Sequence, residues 1–247
     1  MADNDISISG SGKINGGEYG KISISGSGAI VGGIRCEEIR VSGSASADGE
    51  INCSGDVKIA GSFKCKGKLS AAGELKIAGS CRTDGEVVGN VIKIAGSFCS
   101  GGKIAGKEIK VSGSIGTIND IEGEQVKLSG SAEIGGLLSA EKIEIELADR
   151  GQMKISQIGG TDIEVYGSEK SLDVNFIGLF KLHRSSRAGK LVCSIIEGDN
   201  ITLSNTECQT VRGKNIVIGE NCVIGTVEYS EQYTVCDSAL VNHSEKV

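Results

Sequence analysis

Leu75-Lys76-Ile77-Ala78-Gly79-Ser80 and Ile92-Lys93-Ile94-Ala95-Gly96-Ser97 are one phrase written twice, 17 residues apart. Outward from this pair, the pattern apolar–x–apolar–Ser/Ala–Gly–Ser occurs eight times, with its glycine at Gly10, Gly26, Gly43, Gly61, Gly79, Gly96, Gly113 and Gly130. The intervals are 16, 17, 18, 18, 17, 17 and 17 residues. A period this steady marks a stack of structural repeats rather than a folded-once domain.

The columns of the repeat carry the argument further. Four residues before each glycine stand Ile6, Ile22, Ile39, Val57, Leu75, Ile92, Ile109 and Val126. Two before it stand Ile8, Ile24, Val41, Ile59, Ile77, Ile94, Val111 and Leu128. Apolar residues two apart have the period of a strand. From the second copy on, a third aliphatic column runs through Ile34, Ile51, Leu69, Val87, Ile104, Ile121 and Leu138. A fourth holds only small residues: Cys36, Cys53, Ala71, Gly89, Gly106, Gly123 and Ala140. Short strands between glycine-marked corners cannot stand alone; stacked about 4.8 Å apart they form continuous parallel sheets. The expected fold is all-β, a parallel β-helix solenoid of about 17 residues per coil. Residues 1–142 read as regular coils, and 143–192 as irregular coils with a loop inserted within 167–192. Residues 193–247 read as further coils and a short tail.

The outward residues write a register. Arg40, Lys58, Lys76, Lys93, Lys110 and Lys127 form one cationic column, with Glu38, Asp56, Glu74 and Glu108 two residues earlier on the same face. A second outward column, Glu50, Lys68, Glu86, Lys103 and Asp120, alternates in sign at each step. Opposite charges on adjacent strands favour pairing.

Composition sets bounds. Gly is present 38 times and Pro and Trp are absent, which excludes collagen. A net charge of −6 argues against general nucleic-acid binding. The acidic start, Met1 to Asp5, does not read as an export signal, and no run reaches the length of a membrane span. The protein is therefore expected in the cytoplasm, with its nine cysteines reduced.

The ends of a solenoid expose apolar surface and open strand edges. No capping segment is legible here. The predicted self-assembly surfaces are Ile6, Ile8, Ile22 and Ile24 at one end and Ile216, Ile218, Tyr233 and Val235 at the other. A separate stretch breaks the repeat: Phe176, Ile177, Leu179 and Phe180 run into Lys181, Arg184 and Arg187. It is read either as a loop folded onto the solenoid or as a contact with an anionic membrane surface or a partner.

The repeats at 75–80 and 92–97, with the stretch from Ile196-Glu197-Gly198-Asp199 through Val211-Arg212-Gly213 to Val227-Glu228-Tyr229, resemble the bactofilins. These are polymer-forming bacterial cytoskeletal proteins. The resemblance implies a right-handed β-helix, a homopolymer formed by end contacts without nucleotide, and scaffolding at the membrane or cell envelope. The chain departs from that family in having no Pro and little tail, which puts tail-mediated membrane attachment aside.

No catalytic residue, metal ligand or cofactor is expected. His183 and His243 lack partners at catalytic spacing, His243 reading as solvated, and the serines fill a turn column. Cys36 and Cys53 fall in adjacent coils; Cys65, Cys81 and Cys99 fall near one another. All five read as small core residues rather than a zinc site. Two other readings compete with the scaffold. Ile218-Gly219-Glu220-Asn221-Cys222-Val223-Ile224-Gly225 looks like one turn of a left-handed hexapeptide acyltransferase. A monomeric ligand-binding solenoid is the other.

Overall fold

Successive copies of the phrase lie directly on one another. In the computed structural model, which describes residues 4–167 and 189–247, Ile59 pairs with Ile77 and Ile77 with Ile94. The same ladder logic links Ile6, Ile22, Ile39 and Val57, then Leu75, Ile92, Ile109 and Val126, then Ile143, Ile163, Ile201, Ile216 and Tyr233. All these pairings are parallel. The chain is a parallel β-solenoid of about 13 turns with ~17 residues per turn.

The interior follows from strand alternation. Each copy sends its two phrase aliphatics inward; Ile22, Ile39, Leu75, Ile92 and Ile109 are completely buried. Bulk and smallness alternate where a ladder needs filling: Ala45, Phe63, Cys81 and Phe98 stack in that order, both rings buried. Two rings separated by a thiol keep the interior packed without widening the coils. A neighbouring inward ladder turns polar at Thr83, Ser100 and Thr117. There Thr83 Oγ1 donates to Ser100 Oγ at 3.2 Å, and Ser100 Oγ lies 2.9 Å from the Gly102 carbonyl oxygen. Among the described residues no buried side-chain nitrogen or oxygen lacks a hydrogen-bond partner.

The glycine column has a different cause from the one its corners suggest. Left-handed backbone among the described glycines is confined to Gly17 and Gly32, neither of them in the column. A Cβ placed on Gly26, Gly43, Gly61, Gly79, Gly96, Gly113 or Gly130 would instead fall well inside 3.0 Å of the carbonyl oxygen of the column's preceding glycine. Glycine is required because the coils touch there. The small-residue column is crowded from two directions: a Cβ on Gly89 would come 2.9 Å from Ile92 Cγ1 of its own coil, and one on Gly106 2.7 Å from the Gly89 oxygen of the preceding coil.

The loosened second half stacks as well. Ile143 pairs with Ile163, Ile163 with Ile201, Ile201 with Ile216 and Ile216 with Tyr233. The strands Gln152–Gly167 and Lys190–Leu203 are direct neighbours. The stretch read as a tail continues the coil: Leu240–Lys246 is a strand paired on Val223–Tyr229. Its residues Asn242 to Lys246 are exposed, so the aliphatic third column ends there in Ser244, over Val227. That polar strand covers part of one end, which the sequence reading had left without a cap.

Candidate functional site

The predicted end residues occupy two ladders. Ile6 and Ile8 form the strand Ile6–Ile8, which among the described residues pairs on one side only, with Ile22 and Ile24. At the other end, among the described residues, Tyr233 and Val235 pair only with Ile216 and Ile218. The strand Leu240–Lys246 covers Val223–Tyr229 but stops short of this edge. Tyr233 stands in the ladder of Ile6, and Val235 in the ladder of Ile8. The inner four residues, Ile22, Ile24, Ile216 and Ile218, are buried beneath the outer four. Val235 is 43% exposed, in a ladder whose interior members are close to zero.

The ends also share a feature that sequence reading passed over. The small-residue column gives way to a tyrosine toward each end: Tyr19 pairs with Cys36, and Tyr229 with Gly213. Tyr229 is covered on its other side by Lys246 of the last strand, so the column passes from small residues to a ring and then to a charged side chain. Tyr19 donates its hydroxyl to the Asn15 oxygen at 2.6 Å, and the Tyr229 and Tyr233 rings stack with centroids 5.1 Å apart.

The first outward column behaves as its charges predict. Arg40 reaches Glu38 at 2.7 Å, Lys58 reaches Asp56 at 2.8 Å and Lys93 reaches Glu74 at 2.7 Å; Lys110 pairs with Glu108. The Lys58 hydrogen bond and the Glu74 N–H hold the Asp56 carboxyl below the usual range. These are exposed pairs and set register more than stability. The alternating column does so only in part. Lys68 meets Glu86 at 3.2 Å, but Lys103 turns to Glu122. Asp120 Oδ1 accepts the Leu137 N–H at 2.8 Å. The reason is position: a short carboxylate at a corner reaches the main chain of the adjacent coil. Asp5, Asp48 and Asp56 do likewise, accepting from the N–H groups of Lys21, Gly32 and Glu74 at 2.7, 2.6 and 2.9 Å.

Further on, an outward amide ladder replaces charge. Asn200 Nδ2 donates to Asp162 at 2.8 Å and Asn215 Nδ2 to Asn200 at 3.0 Å. The hexapeptide-like phrase is one corner, with Asn221 in the left-handed region at φ 56° and Cys222 buried.

Cys36 and Cys53 are ladder partners, as are Cys193 and Cys208. Cys65, Cys81 and Cys99 stand in three different ladders, and Cys99 alone of these faces solvent. Among the described residues no three His, Cys, Asp or Glu side chains converge as a metal site would need. Burial pushes the Cys81 thiol up to about 12 and the Cys222 thiol to about 11. Since the thiolate is the reactive species, thiol chemistry on the folded protein is confined to exposed Cys99 and half-exposed Cys236. Hydrogen bonding from Ser238 lowers the Cys236 thiol. Titration of native protein with a thiol reagent should show two fast sites, and the other seven should react only on denaturation. Three or more fast sites would mean that coils open readily.

His243 is exposed, 3.8 Å from Glu245, as read from the sequence. His183 and the segment carrying Phe176, Ile177, Leu179, Phe180, Lys181, Arg184 and Arg187 lie outside the described residues. Among the described residues no helix is long and apolar enough to cross a membrane.

With the geometry in place, comparison with known proteins adds little about chemistry. No family model matches the chain, and no solved structure matches it. It is similar to the uncharacterised protein YhbE of Bacillus subtilis (strain 168), 37% identical over 115 residues, which is 47% of this chain and 45% of the relative. It is also similar to the uncharacterised protein YhbF of the same organism, 38% identical over 102 residues, covering 41% of this chain and 37% of the relative. The matched stretch thus spans less than half the length of each curated relative.

Proposed function

We propose that this chain is a structural, self-assembling scaffold whose copies polymerise end to end by β-solenoid stacking, without nucleotide and without catalysis. One observation carries the reading. The same two apolar ladders run from Ile6 and Ile8 to Tyr233 and Val235, and among the described residues both finish with one side unpaired. An open strand edge recruits another strand, with main-chain bonds supplying affinity and side-chain ladders supplying register. A second copy offers both. The resemblance to bactofilins points the same way, toward a cytoplasmic homopolymer acting beside the membrane or with a cell-envelope protein.

Electron microscopy and pelleting of purified full chain, with no nucleotide present, test it. The wild-type protein should form polymers at micromolar concentration. Val235→Lys should abolish them while keeping the β-sheet circular dichroism and melting of the wild type, because that side chain is 43% exposed in the single subunit, and Ile8→Lys, at a side chain only 9% exposed, should abolish them with a lowered melting temperature. A wild-type protein that stays monomeric at all concentrations, or lysine variants that still polymerise, would overturn the reading.

A further inference from the structure

We propose that the lysine stripe on one flank of the solenoid is a groove for a linear acidic polysaccharide. Lys76, Lys93, Lys110 and Lys127 are consecutive ladder partners, so their stems stand one strand spacing apart, about 4.8 Å. They line a groove of about 490 Å³ whose floor includes Ala95, Ser112 and Ser129. These floor residues come two positions after a lysine. The acids of the flank, Glu74 and Glu108, come two positions before one. Strand alternation puts all three columns on the outer surface but leaves the carboxylates on the far side of the lysines from the floor. A chain lying in the groove between Lys76 and Lys127 therefore meets cations alone, and Glu144, the next rung of the lysine column, marks where that stretch ends.

Local pairing does not close the site. Lys93 holds Glu74 at 2.7 Å, Lys110 holds Glu108, and Lys127 holds Glu144 at 3.2 Å. These side chains are 46%, 53% and 41% exposed, and ion pairs this wet are weak. Lys76 has no ion-pair partner among the described residues. A polyanion replaces these contacts with several at once.

The geometry selects among polyanions. A flat anionic membrane would press on both columns, meeting the glutamates as well as the lysines; a polymer in the groove does not. Single-stranded nucleic acid is held by aromatic platforms, and the groove lining holds no aromatic ring. A polyuronate chain presents one carboxylate per ring, and its rings repeat at roughly 5 Å, close to the spacing of neighbouring strands. Its hydroxyls meet Ser112 and Ser129 and its apolar face meets Ala95.

The test is binding of immobilised full-length chain to polygalacturonate across a salt series. Wild-type protein should bind at low salt and weaken as salt rises, with a slope set by the number of contacts. The triple change Lys76→Gln, Lys93→Gln, Lys110→Gln should lose at least tenfold in affinity, and the three arginine substitutions should restore it. Lys76→Gln alone, which breaks no ion pair, should lose affinity severalfold and guards against misfolding of the triple variant. Lys64→Gln with Arg82→Gln, which sit in a different outward ladder, should change nothing. Absence of binding by the wild type, an equal loss in the control, or tighter binding to polyphosphate, single-stranded DNA or phosphatidylserine vesicles would overturn the proposal.

Discussion

Gly96→Val is expected to cost the folded chain more than about 3 kcal/mol, enough to lower the urea midpoint sharply or to prevent soluble expression. Glycine inside a strand-rich repeat ordinarily weakens it, and replacing it with alanine ordinarily gains roughly 0.4–1 kcal/mol by restricting the unfolded chain. Here the steric term wins. The added Cβ falls well inside 3.0 Å of the Gly79 carbonyl oxygen, which is backbone and cannot swing aside. That same oxygen accepts the Ser97 N–H at 2.9 Å, and the Ile77 oxygen beside it accepts the Ala95 N–H at 2.8 Å. Parting the coils to admit a methyl group stretches both bonds, each worth about 1 kcal/mol, on top of about 1–3 kcal/mol for overpacking. Gly116 supplies the contrast. A Cβ there meets only Cys99 Sγ, at 3.6 Å, an ordinary contact. Gly116→Ala should therefore be neutral or slightly stabilising. Equal effects at Gly96 and Gly116 would show that coil contact is not what demands glycine in the column.

That contrast also marks where sequence reading stops. The ladders of Ile59, Ile77 and Ile94, the small column from Cys36 to Ala140, and the partnering of Arg40 with Glu38 were all legible, because each depends on a residue type recurring at a fixed period. The cause of the glycine column was not. A glycine needed for close approach and one needed for a left-handed turn are the same letter. The alternating charges of Glu50, Lys68, Glu86, Lys103 and Asp120 misled in part for a related reason. Periodicity says which residues are neighbours, but not whether a short carboxylate such as Asp120 prefers a lysine or the Leu137 N–H. The tyrosines that interrupt the small column toward its ends, Tyr19 and Tyr229, break its pattern and so read as its absence. Likewise the strand Leu240–Lys246 keeps the register of the coils while losing their apolar inward residues. The candidate end residues were found because they belong to the repeat.

Gly10→Val is expected to leave the single subunit as stable as the wild type, within about 0.5 kcal/mol as for an open surface site, while abolishing end-to-end polymers altogether. Gly10 heads the glycine column. Every later member of that column has a carbonyl oxygen of the preceding coil pressed against the place where a Cβ would be, whereas Gly10 has no heavy atom within 4 Å of it. Folding alone thus places no demand for glycine at this position. Stacking does. At the opposite end the corner after Val235 takes the backbone bond that the repeats take: Cys236 N–H to the Ile218 oxygen at 2.8 Å, as Ala95 N–H takes the Ile77 oxygen at 2.8 Å. A copy docked so that Tyr233 meets Ile6 and Val235 meets Ile8 brings that corner over Gly10, and a branched side chain there collides with it. Melting curves read the first half of the expectation and pelleting reads the second. Polymers that survive Gly10→Val would remove the Ile6–Ile8 end from the contact, and a subunit that fails to fold would mean that some part of its own chain already occupies the space above Gly10.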